Sequence, residues 1–365
     1  MGIQKNNHSS QAKKYLKLAF ELARINLGKT KENPSVGCIV VKNNSVISSG
    51  YTSIYGRPHA EFNALNKNLD FKNSDIFITM EPCTHYGKTP PCTNLIIKKK
   101  IKNVFYAFND INKLTAFKAK KTLKSKNIKT FKKRISKYKY FYDSYYKLHK
   151  KNKPFIDAKI AISKDFFTIN KSNKWITNEL SRKRVHLIRS EYDCILTTSK
   201  TLNKDNALLN CRLNGFDKNK PDLIIVDQYL KTKKNLKLFN FRNKRKIILF
   251  TTIKKDKKLN FFKSKNVKIK IIKKLNTVDG LNNLFIILKN LNYNRVLIET
   301  GLLFINELLK YRLLSNLYIF QSSYMLGKKG SNNTSSNLIK KLNITNKIKV
   351  NLDKDKLYKV KLNNV

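Results

Sequence analysis

One histidine, one acid and two cysteines stand where apolar segments end in the first third of this 365-residue chain, and they constrain its fold more than any other feature. His59-Ala60-Glu61 opens a helical stretch, Glu81-Pro82-Cys83 follows the apolar run Asp75 to Met80, and Pro90-Pro91-Cys92 leads into a second helical stretch. Two thiolates and an imidazole form a favourable shell for Zn²⁺, and three protein ligands leave a fourth tetrahedral position for water. That is a catalytic arrangement; a structural site is normally closed by a fourth ligand. His59 and Glu61 lie two residues apart at a helix start, so both reach one pocket, with Glu61 beside the metal as an acid/base that does not ligate it. Cys83 and Cys92 each follow Pro, where helix-end N–H groups help hold a thiolate. A His-x-Glu pair alone carries little, and a buried cysteine alone is usually core. Cys38, inside an apolar strand, takes the core reading, as do Cys194 and Cys211. Taken together and in order, His59, Glu61, Cys83 and Cys92 point to zinc chemistry.

The surrounding pattern alternates helix and strand. Ala12 to Gly28 carries an apolar stripe (Leu16, Ala19, Phe20, Ala23, Leu27) and stops at Gly28. Val36 to Val41 and Val46 to Tyr51 predict two strands joined at Lys42-Asn43-Asn44. A helix over His59 to Leu65, a strand over Asp75 to Met80, a helix over Asn94 to Lys100 and a strand over Asn103 to Phe108 follow. Lys113 to Lys153 is Lys- and Tyr-rich and weakly patterned. A boundary is expected near Lys147 to Lys153, ahead of Pro154, giving domains of 1–148 and 149–365. Beyond it Phe155 to Ile162, Asp193 to Thr197, Leu223 to Val226, Lys246 to Thr251 and Val296 to Glu299 predict buried strands, with helices such as Leu180 to Arg189 between them. Both halves are therefore expected to be α/β.

The net charge of +54 raises nucleic acid as a partner, but 66 of the 77 basic residues are Lys and only 11 are Arg. Geometric reading of phosphates and bases leans on the Arg fork, and the Lys are spread along the chain rather than gathered. Drift of an A- and T-rich gene with a solvated surface is the plainer reading, and nucleic acid is not expected as a partner. No run of about 18 apolar residues occurs, so no membrane span is expected. The polar start, Met1 to Gln11, has no signal-peptide core, and Asn6 stands where a myristoylation signal wants Ser or Thr. Five cysteines at irregular spacing do not suggest a disulfide framework. A cytoplasmic protein is expected.

His-x-Glu followed by Pro-Cys and a second cysteine is the pattern of zinc-dependent nucleobase deaminases, in which activated water attacks the amine-bearing ring carbon and the Glu moves the protons. Here the second cysteine comes nine positions after the first rather than three. Asn33-Pro34-Ser35-Val36-Gly37-Cys38, Gly56-Arg57-Pro58-His59-Ala60-Glu61 and the stretch Glu81 to Cys92 closely resemble the riboflavin-biosynthesis deaminases, the RibD family, where a long loop separates the cysteines. The resemblance implies a cytidine-deaminase-like α/β/α domain with His59, Cys83 and Cys92 on zinc and Glu61 catalytic. It also implies that Asn33, His85 and Lys88 hold the pyrimidine and its ribose phosphate; alternatively, His85 orders the loop. One position departs: where the family has His after the Tyr ending the second strand, Thr52 follows Tyr51.

The C-terminal half resembles the reductase that follows in that family, a dihydrofolate-reductase-like α/β domain using NADPH. Lys159, Ser163, Trp175-Ile176-Thr177, Arg189, Asp193, Thr201, Asp205-Asn206, Arg212, Glu299-Thr300-Gly301 and Leu326-Gly327 carry the likeness by their order. The resemblance implies cofactor contacts from Ala161, Trp175, Thr201, Asp205 and Gly301, and substrate contacts from Asn173, Arg189, Leu209, Arg212 and Glu299. Without it, Trp175 reads equally as packing. This half departs more: Phe166 stands where the family has Gly, Ala207 where it has Pro, and Leu302-Leu303 where it has a second Gly or Pro and then a small polar residue. The implied activity is hydrolytic deamination of 2,5-diamino-6-(5-phosphoribosylamino)pyrimidin-4-one, then NADPH reduction of the ribosyl group to ribityl, in a homo-oligomer. Two rival readings stay open: a deaminase with a degenerate reductase half, and a nucleic-acid-editing deaminase.

Overall fold

The computed structural model describes residues 2–112, 116–215, 221–240, 245–334, 342 and 344–362, and the chain divides into two compact units, Met1–Asn152 and Lys153–Val365. Met1 and Lys113, which begin two of the expected segments, lie outside the described residues.

The first unit is built on a five-stranded sheet. Helix α1 (Gly2–Arg24) leads to β1 (Gly37–Lys42) and β2 (Ser45–Tyr51), which pair antiparallel. Their connection places Asn43 and Asn44 at φ 51° and 63°, a left-handed turn that Asn accepts more readily than most residues. Then come α2 (Ala60–Leu65), β3 (Asp75–Met80), α3 (Cys92–Lys98), β4 (Asn103–Phe108), α4 (Ala119–Lys124), β5 (Lys129–Lys132) and α5 (Asp143–Lys151). The sheet order is β2-β1-β3-β4-β5, with β3, β4 and β5 parallel and β1 antiparallel to both of its neighbours.

Two glycines set the layers. A Cβ on Gly37 would lie 1.8 Å from the Ala19 carbonyl oxygen of α1, and one on Gly50 would lie 2.4 Å from that of Ala60 in α2. Gly50 pairs with Cys38, the residue after Gly37, so the two close approaches fall on opposite faces of the sheet. The result is α1 on one face and α2 on the other, with His59 as the N-cap of α2 at the sheet's edge of the site.

Several element ends differ from the sequence reading. Helix α1 begins at Gly2 rather than Ala12, and α3 begins at Cys92 rather than Asn94. Helix α5 continues through Lys151 and ends on Asn152 in the left-handed conformation, and the two units divide after Asn152, within the 147–153 stretch.

The second unit holds an eight-stranded sheet of order β11-β10-β9-β8-β12-β6-β13-β15. Its strands are β6 (Phe155–Ile162), β8 (Cys194–Thr198), β9 (Asp222–Val226), β10 (Ile247–Thr251), β11 (Val267–Ile271), β12 (Arg295–Ile298), β13 (Asn316–Gln321) and β15 (Lys356–Lys361), all parallel except β15. Strands β7 (Phe167–Asn170) and β14 (Gly330–Asn333) pair separately.

The main strands are apolar on both faces, as a parallel sheet under helices requires. One face (Ile156, Ala158, Cys194, Ile224, Ile248) packs against α10 (Val278–Asn290) and α11 (Leu302–Lys310). The other (Ile195, Leu223, Ile225, Leu249, Leu297) packs against α6 (Glu179–Ser190), α7 (Ser199–Asp205), α8 (Lys237–Asn240) and α9 (Lys257–Ser264). Chain order reverses at β8, β12 and β6, and the residues just beyond their carboxyl ends line the place where such sheets bind ligands.

Candidate active sites

In the first unit His59 precedes α2, Cys92 begins α3, and Cys83 follows β3 by three residues. His59 Nδ1 lies 3.7 Å from Cys83 Sγ and 3.4 Å from Cys92 Sγ, and the three ligand atoms all lie within 4.8 Å of one another. Tetrahedral Zn–S and Zn–N bonds put neighbouring donors about 3.5 Å apart, so this donor set fits zinc in spacing as well as chemistry. The Cys92 N–H, first of α3, donates to Cys83 Sγ at 3.2 Å. Hydrogen bonds from Cys92 and His59 hold the Cys83 thiol far below its ordinary range, as a ligating thiolate needs. Glu61 is 4% exposed. Burial lifts its carboxyl to about 7, with His59 opposing and the Cys83 charge adding to the rise.

The residues expected on the substrate lie on three segments. Asn33 packs its side chain over Gly56, 2.3 Å from where a Cβ would stand, and Gly56 adopts φ +86° there. His85 is half-buried and Lys88 exposed, both on the loop between the cysteines. That loop is tied down by Arg57, whose Nη1 donates to Thr89 Oγ1 at 2.6 Å. Thr52, at the position that departs from the family pattern, is buried and turned to the backbone: its Oγ1 accepts the Val36 N–H at 2.9 Å, and its carbonyl accepts from Asn26 Nδ2.

Sequence reading gave no role to Glu81. Its buried carboxylate accepts from Asn109 Nδ2 (3.0 Å), Phe117 N–H (3.1 Å) and Ala119 N–H (3.2 Å), and so fastens the start of α4 beside the Pro82-Cys83 turn. Its place directly before Pro-Cys was the available signal.

In the second unit Glu299, just past β12, receives a two-pronged ion pair from Arg189 of α6: Nε to Oε1 at 2.6 Å and Nη2 to Oε2 at 2.9 Å. Lys159 of β6 lies 3.9 Å from the same carboxylate. Burial raises the Glu299 pKa, but Arg189 and Lys159 outweigh it, and the net shift is below the usual carboxylate range. Arg189 also donates to the Asn210 carbonyl (3.1 Å), and Arg212 to Asn210 Oδ1 (2.8 Å). Leu209, directly before Asn210, is buried at φ +48°, its carbonyl accepting from Arg245.

A second group forms at the start of α11. Gly301 is its N-cap and donates its N–H to Thr201 Oγ1 at 3.1 Å. A Cβ on Gly301 would meet only that oxygen, at 4.0 Å, so the approach to the helix start is open. Open first-turn N–H groups and a hydroxyl suit a dinucleotide phosphate, and these residues fit NADPH. Asp205 ends α7 as an exposed residue, and partial desolvation by the surrounding protein raises its pKa, with Lys204, Lys174 and Lys159 opposing. Ala161 lies half-buried on β6. Asn173 and Trp175 share one loop: Asn173 Oδ1 accepts the Trp175 N–H, and the exposed indole lies against Lys174 and against Arg182 of α6. Those contacts do not join them to the Arg189–Glu299 pair.

Residues 154–360 match the RibD C-terminal domain, and residues 9–108 match the cytidine and deoxycytidylate deaminase zinc-binding region. The riboflavin biosynthesis protein RibD of Aquifex aeolicus is 32% identical over 320 residues, covering 87% of this chain and 88% of that one. The chain belongs to the RibD family. RibD of Buchnera aphidicola is 31% identical over 330 residues, covering 86% and 87% of the two chains. Among solved structures, Acinetobacter baumannii RibD has a TM-score of 0.80 at 25% identity, covering 98% of this chain and 100% of that one. The Thermotoga maritima diaminohydroxyphosphoribosylaminopyrimidine deaminase/5-amino-6-(5-phosphoribosylamino)uracil reductase has a TM-score of 0.81 at 26% identity, covering 97% and 99%. As a RibD protein the chain is a bifunctional enzyme of riboflavin biosynthesis, a zinc-dependent deaminase and an NADPH-dependent reductase. Among the described residues no helix is long and apolar enough to cross a membrane.

Proposed function

We propose that the first unit deaminates 2,5-diamino-6-(5-phosphoribosylamino)pyrimidin-4-one and that the second reduces the resulting 5-amino-6-(5-phosphoribosylamino)uracil at its ribosyl group. The observation that carries the deaminase assignment is the His59, Cys83 and Cys92 cluster beside the buried carboxyl of Glu61. Zinc, when bound to His59, Cys83 and Cys92, supplies a Lewis acid that makes water a nucleophile near neutral pH. Glu61 takes the proton of the attacking water on a carboxylate oxygen and passes it to the leaving amine; the ring C–N bond breaks, a carbonyl forms and ammonia departs. Asn33 and His85 hold the pyrimidine, and Lys88 meets the phosphate as a point charge. Arg57, through Thr89, keeps the loop carrying His85 and Lys88 in place.

In the second unit NADPH supplies the hydride that reduces the open-chain carbonyl of the ribosylamino group. Thr201 and Gly301 would hold the cofactor phosphates at the start of α11, and Ala161, Trp175 and Asp205 would complete the cofactor site. Glu299, oriented by Arg189 and Lys159, hydrogen-bonds the sugar hydroxyls, and Arg212, Asn173 and Leu209 complete the substrate site. The free state of all five cysteines and a site that needs two thiolates suit a reducing, cytoplasmic compartment.

The test is a substrate panel. Ammonia release is followed with the diaminopyrimidine ribosyl phosphate, with dCMP and with an adenosine-containing tRNA anticodon stem. Release from the first alone supports this substrate; release from the RNA would overturn it.

A further inference from the structure

His186 of α6 lies one turn before Arg189, outside every residue assigned above. Its Nδ1 lies 2.9 Å from the Asn210 carbonyl oxygen and its Nε2 lies 3.3 Å from Arg212 Nη2. A carbonyl only accepts, so Nδ1 carries the proton; a guanidinium only donates, so Nε2 offers its lone pair. The two contacts are compatible with one state of the ring, the neutral Nδ1–H tautomer. Burial, together with the charges of Arg189 and Arg212, holds the imidazole pKa down at about 4, with Asn210 and Glu299 opposing, so the ring stays neutral at neutral pH.

The anchor of this hook is itself fixed. The Asn210 carbonyl also accepts from Arg189, and Arg245 holds the preceding carbonyls of Leu208 and Leu209. Arg212, by contrast, is an exposed side chain in a largely irregular segment, held by Asn210 Oδ1 through Nη1 and by His186 through Nη2. Two acceptors on two different nitrogens fix both the position and the plane of a guanidinium, and one acceptor fixes neither.

We propose that His186 is a positioning residue of the reductase reaction, the neutral acceptor that sets the Arg212 guanidinium at the angle at which it meets the anionic substrate. The proposal rests on the reading of Arg212 as a substrate residue.

Steady-state NADPH oxidation with 5-amino-6-(5-phosphoribosylamino)uracil tests it in the full chain. His186→Phe keeps a ring of similar shape but neither donates nor accepts. It raises KM for the pyrimidine about tenfold, the loss expected for one hydrogen bond to a charged group, and leaves kcat and the NADPH KM within about a factor of two. His186→Gln restores an acceptor and recovers most of the KM. The double variant with Arg212→Gln is no worse than Arg212→Gln alone. If His186→Phe fails to fold, His186→Asn, which reaches the Asn210 carbonyl but falls short of Arg212, takes its place. An unchanged KM in the His186 variants beside a raised KM in Arg212→Gln overturns the proposal and leaves the Arg212 reading standing. An unchanged KM in Arg212→Gln removes that reading and the proposal with it. A parallel fall in kcat, NADPH affinity and thermal midpoint that Gln does not rescue shows a merely structural part and overturns the positioning role.

Discussion

The carboxylate of Glu81 accepts the main-chain N–H of Ala119 at 3.2 Å, tying the residue two positions before a zinc ligand to the first turn of α4. The same carboxylate takes the N–H of Phe117 and the amide of Asn109, so one side chain closes the segment after β4 against the turn that delivers Cys83. Glu81→Ala leaves the buried Ala119 N–H and the part-buried Asn109 and Phe117 donors without this acceptor. We expect a loss of about 3 kcal/mol in the first unit, read as an earlier urea transition of that unit and faster hydrogen exchange at Phe117 and Ala119. Unchanged exchange there would remove the role.

Glu61→Gln keeps the size of the side chain and removes its proton chemistry. It should retain one equivalent of zinc, since His59, Cys83 and Cys92 are untouched, while ammonia release falls by about a thousandfold or more. Zinc content by elemental analysis and ammonia release by a coupled assay check both halves. Retained activity would refute the assigned proton transfer.

Phe166 occupies φ +70°, where the family pattern has Gly, and its carbonyl accepts both the N–H and the hydroxyl of Thr334. That double contact and the Ser163–Asp165–Gly327 hydrogen bonds hold Phe166 in the left-handed turn. A side chain with a Cβ costs about 1–2 kcal/mol in that region, less for Asn and more when β-branched. Phe166→Asn should therefore be more stable than Phe166→Val by about 1 kcal/mol, although Val is the more apolar. Chemical unfolding of the two variants decides; a more stable Val variant would mean that burial, not backbone strain, governs the position.

Glu299 gives the second unit an acid limb. Its folded pKa lies below its unfolded value of about 4.3, so the unfolded state binds the proton more readily. The stability contributed by the Arg189 pair is fully present above that unfolded value and is lost as pH falls through the lower, folded value. Urea midpoints of the second unit should fall below about pH 4.5. Glu299→Gln should lose about 3 kcal/mol at pH 7 by leaving Arg189 buried and unpaired, and show a flatter acid limb. An identical acid limb in the variant would assign the titration to other groups.

The zinc cluster was legible because each ligand sits at a Pro-marked junction, and β1 and β3 read as largely apolar runs. The Asn43-Asn44 turn was legible for its backbone preference. What stayed hidden was polar residues doing core work. Tyr138, Tyr142 and Tyr145 are buried, with Tyr142 bonded to Thr79 and Tyr145 to Asp110, so the stretch that forms α4, β5 and α5 shows lysine and tyrosine rather than an apolar period. Strand β15 reads Lys-Leu-Tyr-Lys-Val-Lys, an edge strand whose buried Leu357 and Val360 are too few to signal it. His186 was hidden for another reason: its role depends on which groups the fold brings to its two nitrogens, and spacing along α6 does not carry that.

The central claim is that both halves work in sequence on one pyrimidine. The most direct measurement supplies purified protein with the diaminopyrimidine ribosyl phosphate, follows ammonia without NADPH, and then follows NADPH absorbance once the cofactor is added. The account predicts ammonia release first and NADPH oxidation afterwards, in equal molar amounts. Ammonia release with no NADPH oxidation by folded, NADPH-saturated protein would contradict it.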